Sequence, residues 1–207
     1  MTTTQTLVQS IAEQRDSTLT IRFASVLFIT VLTTAAAQIS FPLPFTAVPF
    51  TLQPMIVLLG GLALGSRLGA TSQVLYLAAG IAGLPVFAAS ATLPPGPLRL
   101  LGPTGGYLMA YPLAAFVVGY LAERGLDRRY VTSVVAMLVG LEIIYACGAL
   151  WLGLFARTAT GSAAVGVQSA VMTGVVPFVL ADVMKLLVAA AIVPGLWRIV
   201  GRRGQGY

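Results

Sequence analysis

From Tyr130 to Phe155 the chain carries a single charged residue, Glu142. A stretch of that length exceeds the roughly 20 apolar residues that cross a hydrocarbon core. In lipid a backbone must satisfy its own polar groups, which restricts a spanning segment to a helix or a closed barrel. Further apolar stretches occur at 23–40, 68–89, 106–122 and 170–197, with a short one at 52–65. The 207 residues are 57% hydrophobic and only 9% charged, against about a quarter charged in soluble domains. Disorder needs low hydrophobicity and high net charge, and is excluded. The expected architecture is an all-α integral membrane protein with six transmembrane helices over residues 23–197. A polar segment precedes it at 1–22 and a basic tail follows at 198–207. The six spans leave short loops and no room for a second sizeable domain.

Several chemistries are excluded on composition. Histidine is absent and Cys147 is the single cysteine, so no Ser-His or Cys-His nucleophile pair and no disulfide or Cys/His metal site is available. The single lysine, Lys185, follows Val183 and Met184, which rules out a GxxxxGK phosphate loop. The net charge of +6 is dispersed, unlike the clustered basic surface of a nucleic-acid binder. The chain reads as neither an enzyme nor a nucleic-acid partner, and no cofactor or metal is expected. Energy from ATP, if used, must enter through another subunit.

Basic residues set the orientation. With six spans and the N-terminus in the cytoplasm, Arg15, Arg22, Arg67, Arg124, Arg128, Arg129, Arg198, Arg202 and Arg203 face inside, while Arg99 and Arg157 face outside. Such an excess marks the cytoplasmic side, and the even span count brings both termini there.

The two longer outer segments are unusual. The run FPLPFTAVPFTLQP (41–54) holds Pro42, Pro44, Pro49 and Pro54, and SATLPPGPLRLLGPTGG (90–106) holds Pro94, Pro95, Pro97 and Pro103. Proline fixes φ and cannot donate a hydrogen bond, so these loops are stiff and extended. They either pack on the helix ends or form two lids over an external pocket. Gly61, Gly65 and Gly69, spaced by four, mark close helix packing in lipid. The small-residue stripe at the end of the first span (Thr33, Ala36, Ala37, Ser40) suits packing inside the bundle or docking of a partner.

Three ionisable residues lie within spans: Glu142, Asp182 and Lys185. A charge at membrane depth costs several kcal/mol unless paired or solvated, which makes each a functional candidate. Asp182 and Lys185 are three apart and share a helix face, about one and a half turns beyond Pro177, which loosens the helix there. Three readings stand at this point: a self-neutralising ion pair, a proton relay, and a ligand site needing both an acceptor and a donor. Glu142 has a weaker claim, as an answer to a nearby cation or a cap on a polar seam.

The runs VPFTLQ (Val48 to Gln53), LYLAAGIAGLPVF (Leu75 to Phe87), GPTGGYL (Gly102 to Leu108) and DVMK (Asp182 to Lys185) resemble the BioY family, the biotin-specific substrate-capture subunits (S components) of energy-coupling-factor (ECF) transporters. The resemblance spans about residues 23–197 in the same order. It implies an S-component bundle in a prokaryotic cell membrane, with biotin as ligand. Its partners would be a transmembrane coupling (T) subunit and two ABC-type ATPase subunits, and the S component would topple in the membrane to release its vitamin. By motif position it implies that Asp182 accepts the ureido N–H groups of biotin and that Lys185 donates to the polar end of the same ring. Thr104, Gly105, Gly106 and Tyr107 belong to the second lid. Phe50, Thr51 and Gln53 close the first, Phe87 packs on the apolar part of the ligand, and Arg67 occupies a basic position of the family.

The chain departs from the pattern in LPPGPLRL (93–100), where a Gly- or Asn-rich stretch is expected, so an asparagine-type contact to the ring lacks a counterpart. The competing class is a proton-coupled small-molecule carrier that uses Asp182 and Glu142. A membrane subunit with no ligand is the third.

Overall fold

The computed structural model describes residues 6–8, 18–90, 93–158 and 161–203. Helices α1 (Thr18–Gln38), α2 (Gln53–Leu64), α3 (Ser66–Ile81), α4 (Leu98–Leu101), α5 (Gly105–Leu121), α6 (Tyr130–Leu154), α7 (Val167–Gly174), α8 (Val176–Ala189) and α9 (Ile192–Arg203) account for most of the described residues. Two antiparallel ladders of two residues per strand join them, β1 (Ser40–Phe41) with β2 (Phe50–Thr51) and β3 (Arg157–Thr158) with β4 (Gly161–Ser162). Four helical stretches are long and apolar enough to cross a membrane: Leu19–Gln38, Gly105–Leu126, Tyr130–Leu154 and Val176–Trp197. The chain is an all-helical membrane protein.

The other two expected spans are shorter. The 12 residues of α2 and the 16 of α3 rise about 18 and 24 Å, below the roughly 30 Å of a hydrocarbon core. The chain turns between them at Gly65, whose φ of +87° is open to glycine at little cost. Pro54 lies in the first turn of α2, where its missing N–H leaves no gap. Glu123 caps the start of α3: its Oε1 accepts from the Ser66 backbone N–H at 2.9 Å and from Ser66 Oγ at 2.8 Å. A carboxylate there complements the positive end of the helix. The stretch expected to span from 68 to 89 is helical only to Ile81; beyond it Gly83 (φ +93°) turns the chain and Pro85 follows.

The last expected span is broken twice, at Val175 and around Ala190–Ala191. Pro177 lies in the first turn of α8 and explains the first break, since it cannot donate back into α7. Helix α1 begins at Thr18, ahead of Phe23, and α9 continues through Arg203 into the segment expected as a tail. Most of the polar segment 1–22, including 9–17, lies outside the described residues. Of it, Leu7 is buried and Thr6 Oγ1 donates to the Leu64 carbonyl at 3.4 Å.

Helix α5 is central, packed against α2, α3 and α6. The glycines explain how closely. A Cβ on Gly61 would lie 2.6 Å from the Ala115 carbonyl oxygen, and one on Gly69 would lie 2.9 Å from the Gly61 Cα. A Cβ on Gly119 would overlap the backbone of Gly65 and Ser66. Small residues thus let three backbones meet directly. The Thr33, Ala36 and Ala37 face of α1 is buried where α1 packs on α2 and α3. Thr30 Oγ1 donates to the Ser72 carbonyl at 2.9 Å and Gln73 Nε2 to Thr33 Oγ1 at 3.4 Å.

Candidate functional site

A cavity of about 240 Å³ lies beneath the two proline-rich segments. The first contributes Pro42, Thr46 to Pro49, Thr51, Gln53 and Pro54, the second Ser90, Leu93, Arg99, Pro103 and Thr104, and the stretch just before the second contributes Phe87 to Ala89. Its floor comes from Tyr107, Leu108 and Tyr111 of α5, Ile144 and Tyr145 of α6, and Gly174, Phe178 and Asp182 around the α7–α8 break. Mostly apolar walls with a few fixed polar groups are the usual form of a small-molecule site.

Asp182 is the carboxylate of this cavity, and both its oxygens are gripped. Oδ1 pairs with Lys185 Nζ, one turn along α8. Oδ2 accepts from the Tyr145 hydroxyl at 2.6 Å. A carboxylate has about four lone-pair directions, so acceptor capacity remains. Lys185 also donates to the Thr51 carbonyl of β2 at 2.7 Å, and its ammonium sits 3.8 Å from the Phe50 ring centroid. Phe50 in turn stacks on Phe178 of α8, with centroids 6.4 Å apart. The lysine therefore ties the first lid to the helix that carries Asp182.

The second lid is held by a different network. Gln53 Nε2 donates to the Tyr76 hydroxyl at 2.6 Å, and that hydroxyl donates to the Val86 carbonyl at 3.2 Å. Phe87 packs edge-on against Tyr76, 5.4 Å between centroids. Arg99 of α4 is buried, 8% exposed, and donates to the Ala88 carbonyl. Its Nε has no hydrogen-bond partner among the described residues. Burial holds the pKa of this guanidinium below its ordinary value, with Tyr76 acting in the opposite sense. A buried guanidinium in the lining of a cavity is suited to an anionic group.

Tyr107 supports the break in the last span. Its hydroxyl donates to the Gly174 carbonyl at 2.9 Å, an acceptor left open where α7 ends, because the Phe178 N–H bonds to Val175 instead. A Cβ on Gly174 would run into that hydroxyl.

Asp182, Thr51, Gln53, Phe87, Thr104 and Tyr107 line the cavity together. Lys185 and Phe50 stand behind Asp182 and Thr51 rather than in the lining. Gly105 and Gly106 face other parts of the chain: a Cβ on Gly105 would meet the Leu100 carbonyl, and one on Gly106 would meet Trp151 and the Cys147 carbonyl of α6. Arg67 is exposed at the start of α3, beside the turn capped by Glu123. That is the opposite end of α5 from the lids, about 25 Å away at 1.5 Å per residue. Glu142 is exposed on α6 and outside the lining. Tyr145, Tyr111, Ile144, Phe178 and Arg99 were not singled out by the sequence. Aromatic and aliphatic residues in an apolar run look the same whether they face a cavity or a core.

Comparisons with known proteins agree with one another. Residues 5–202 match the BioY family. A probable biotin transporter BioY of Pyrococcus horikoshii is 41% identical over 161 residues, covering 78% of this chain and 86% of that protein. The biotin transporter BioY of Thermotoga maritima is 39% identical over 163 residues, covering 79% and 88%. Among solved structures, the crystal structure of the S-component for biotin from an ECF-type ABC transporter superposes with a TM-score of 0.74 over 89% of this chain and 92% of that one, at 24% identity.

Proposed function

The chain belongs to the BioY family, and from that premise we propose that it captures biotin at the outer face of a prokaryotic cell membrane as the substrate-specific subunit of an ECF importer. In this reading the chain crosses the membrane six times with both termini in the cytoplasm, α2 and α3 completing their crossings with the lid segments that adjoin them. A coupling subunit and ABC-type ATPases supply the energy, and no bond of the vitamin is made or broken on this chain.

One observation carries the reading: a carboxylate, Asp182, and a buried guanidinium, Arg99, line one mostly apolar cavity. Biotin is complementary to that set. Its ureido ring offers N–H donors, its thiophane ring and valeryl chain are apolar, and its chain ends in a carboxylate. Asp182 accepts from the ureido ring, Lys185 supports Asp182 from outside the lining, and Arg99 receives the terminal carboxylate. Thr51, Gln53, Thr104 and Tyr107 surround the polar parts, and Phe87 the apolar ones.

The test is direct binding of radiolabelled biotin to the detergent-purified chain. Saturable binding that unlabelled biotin displaces is expected, with Asp182→Asn binding at least about tenfold more weakly because a hydrogen bond to a charged group contributes about 1.5–3 kcal/mol. Absence of saturable binding by the folded parent overturns the proposal.

A further inference from the structure

We infer that Tyr145 is the positioning residue for Asp182: its phenol fixes the carboxylate in the orientation in which the cavity uses it. The inference rests on the biotin reading and adds a residue to its site.

Asp182 lies on a helix that starts afresh at Val176, after the break at Val175. A continuous α7–α8 ladder therefore does not set its placement. Two tyrosines from neighbouring helices take over that task. Tyr107 of α5 holds the end of α7 through the Gly174 carbonyl. Tyr145 of α6 holds the carboxylate itself, at 2.6 Å from Oδ2. That length is typical of a charge-assisted O–H···O⁻ bond, about twice as strong as a neutral one. Tyr145 and Asp182 are each only 7% exposed, so the phenol has no bulk water to turn to.

The lysine cannot do this alone. Lys185 grips Oδ1 and is itself committed to the Thr51 carbonyl, so it holds one oxygen and leaves Oδ2 without a donor. A carboxylate has a broad χ2 preference. A second donor, on the other oxygen and from a different helix, removes that freedom. It also leaves the remaining lone pairs of both oxygens for N–H donors in the cavity. The phenol hydrogen is consumed by Asp182, so Tyr145 presents only oxygen lone pairs to the cavity it lines. The pair is thus an acceptor surface, matched to a ligand edge that donates N–H groups.

The test is a double-mutant cycle on biotin affinity, measured by titration calorimetry on the full chain, with thermal stability recorded for each variant. Tyr145→Phe keeps the ring and deletes the hydroxyl, and its affinity for biotin falls about tenfold. In the Asp182→Ala background the same Tyr145→Phe change costs less than about threefold, because the side chain it positions is gone. A merely structural tyrosine would weaken binding equally in both backgrounds, and that result overturns the inference. Parent-like affinity of Tyr145→Phe overturns it too. Failure of the parent to bind biotin strikes the functional reading instead, so the two failures are distinguishable. If Tyr145→Phe does not fold, Tyr145→Met fills the space with an adaptable apolar side chain that has no donor, and the same cycle applies to it.

Discussion

Lys185 Nζ stands 2.7 Å from the carbonyl oxygen of Thr51, a residue 134 positions earlier in the chain. One ammonium therefore fastens the first lid to the helix that carries Asp182. Replacing it by methionine keeps the stem and deletes the donor. The expected outcome of Lys185→Met is faster backbone amide exchange across 40–51, by at least about tenfold, since hydrogen bonds to charged groups contribute about 1.5–3 kcal/mol. Hydrogen–deuterium exchange read by mass spectrometry on the ligand-free protein measures it. Exchange in that segment equal to the parent's would show that the lid is held by other contacts.

Arg99 separates the two ends of the proposed ligand. Arg99→Met lowers affinity for biotin by about tenfold or more, by loss of a charge-assisted bond. The parent should already bind biotin methyl ester more weakly than biotin, and Arg99→Met should change ester affinity by less than about threefold. Competition against radiolabelled biotin measures both ligands. An equal loss for acid and ester would mean that Arg99 supports the lid rather than the carboxylate.

Orientation is checked with a membrane-impermeant thiol reagent on intact cells, in a Cys147→Ser background. A cysteine at Ala47, on the first lid, is labelled from outside. One at Arg128, in the turn between α5 and α6, is labelled only after the membrane is broken. The opposite pattern would place the cavity on the cytoplasmic side.

Asp127 gives a pH prediction at the other end of the molecule. It is fully buried, accepts from Trp197 Nε1 at 2.6 Å, and lies 3.6 Å from the Arg128 guanidinium. Burial raises its pKa above the ordinary carboxylate value, with Trp197 and Arg128 acting in the opposite sense. The folded state thus binds this proton more tightly than the unfolded chain does. Its stabilising contribution is present below the unfolded pKa and is lost as pH rises through the raised, folded value. Asp127→Asn keeps an acceptor for Trp197 and removes the titration. From about pH 4 to 7, the melting temperature of the parent should fall relative to that of Asp127→Asn in detergent. A constant difference across that range would show that the carboxyl titrates alike in both states.

The parts of the fold that could be read from sequence are those set by local composition. The run 130–155 maps onto α6, Tyr130–Leu154, because nothing within it interrupts the helical ladder. Pro177 announced trouble in the last span, yet apolar content alone suggested one helix where the chain restarts at Val176 and again at Ile192. The brevity of the apolar run at 52–65 was visible, although the turn after it falls at Gly65 and Ser66 and Arg67 already belong to α3; that α3 stops at Ile81 was not, because apolar composition continues past Ile81 into Phe87. At the site, Asp182 stood out because a charge in an apolar span is costly. Its partner Tyr145, 37 positions away, carries no such mark, and Arg99 looked like an ordinary outer-loop cation until the second lid folded over it.

The glycine contacts have a mechanical consequence. Gly61, Gly69 and Gly119 bring α2, α3 and α5 to backbone contact, where no side chain is available to swing aside and absorb a displacement. These three helices form an unyielding chassis. The elements around the cavity are held through side chains instead: α8 is joined to the first lid by the Lys185–Thr51 bond and to α6 by the Tyr145 hydroxyl, and α7 is joined to α5 by the Tyr107 hydroxyl. Side chains that can change rotamer give these parts room to shift that backbone against backbone does not, and any tilt of the molecule as a whole must carry the chassis along as one piece.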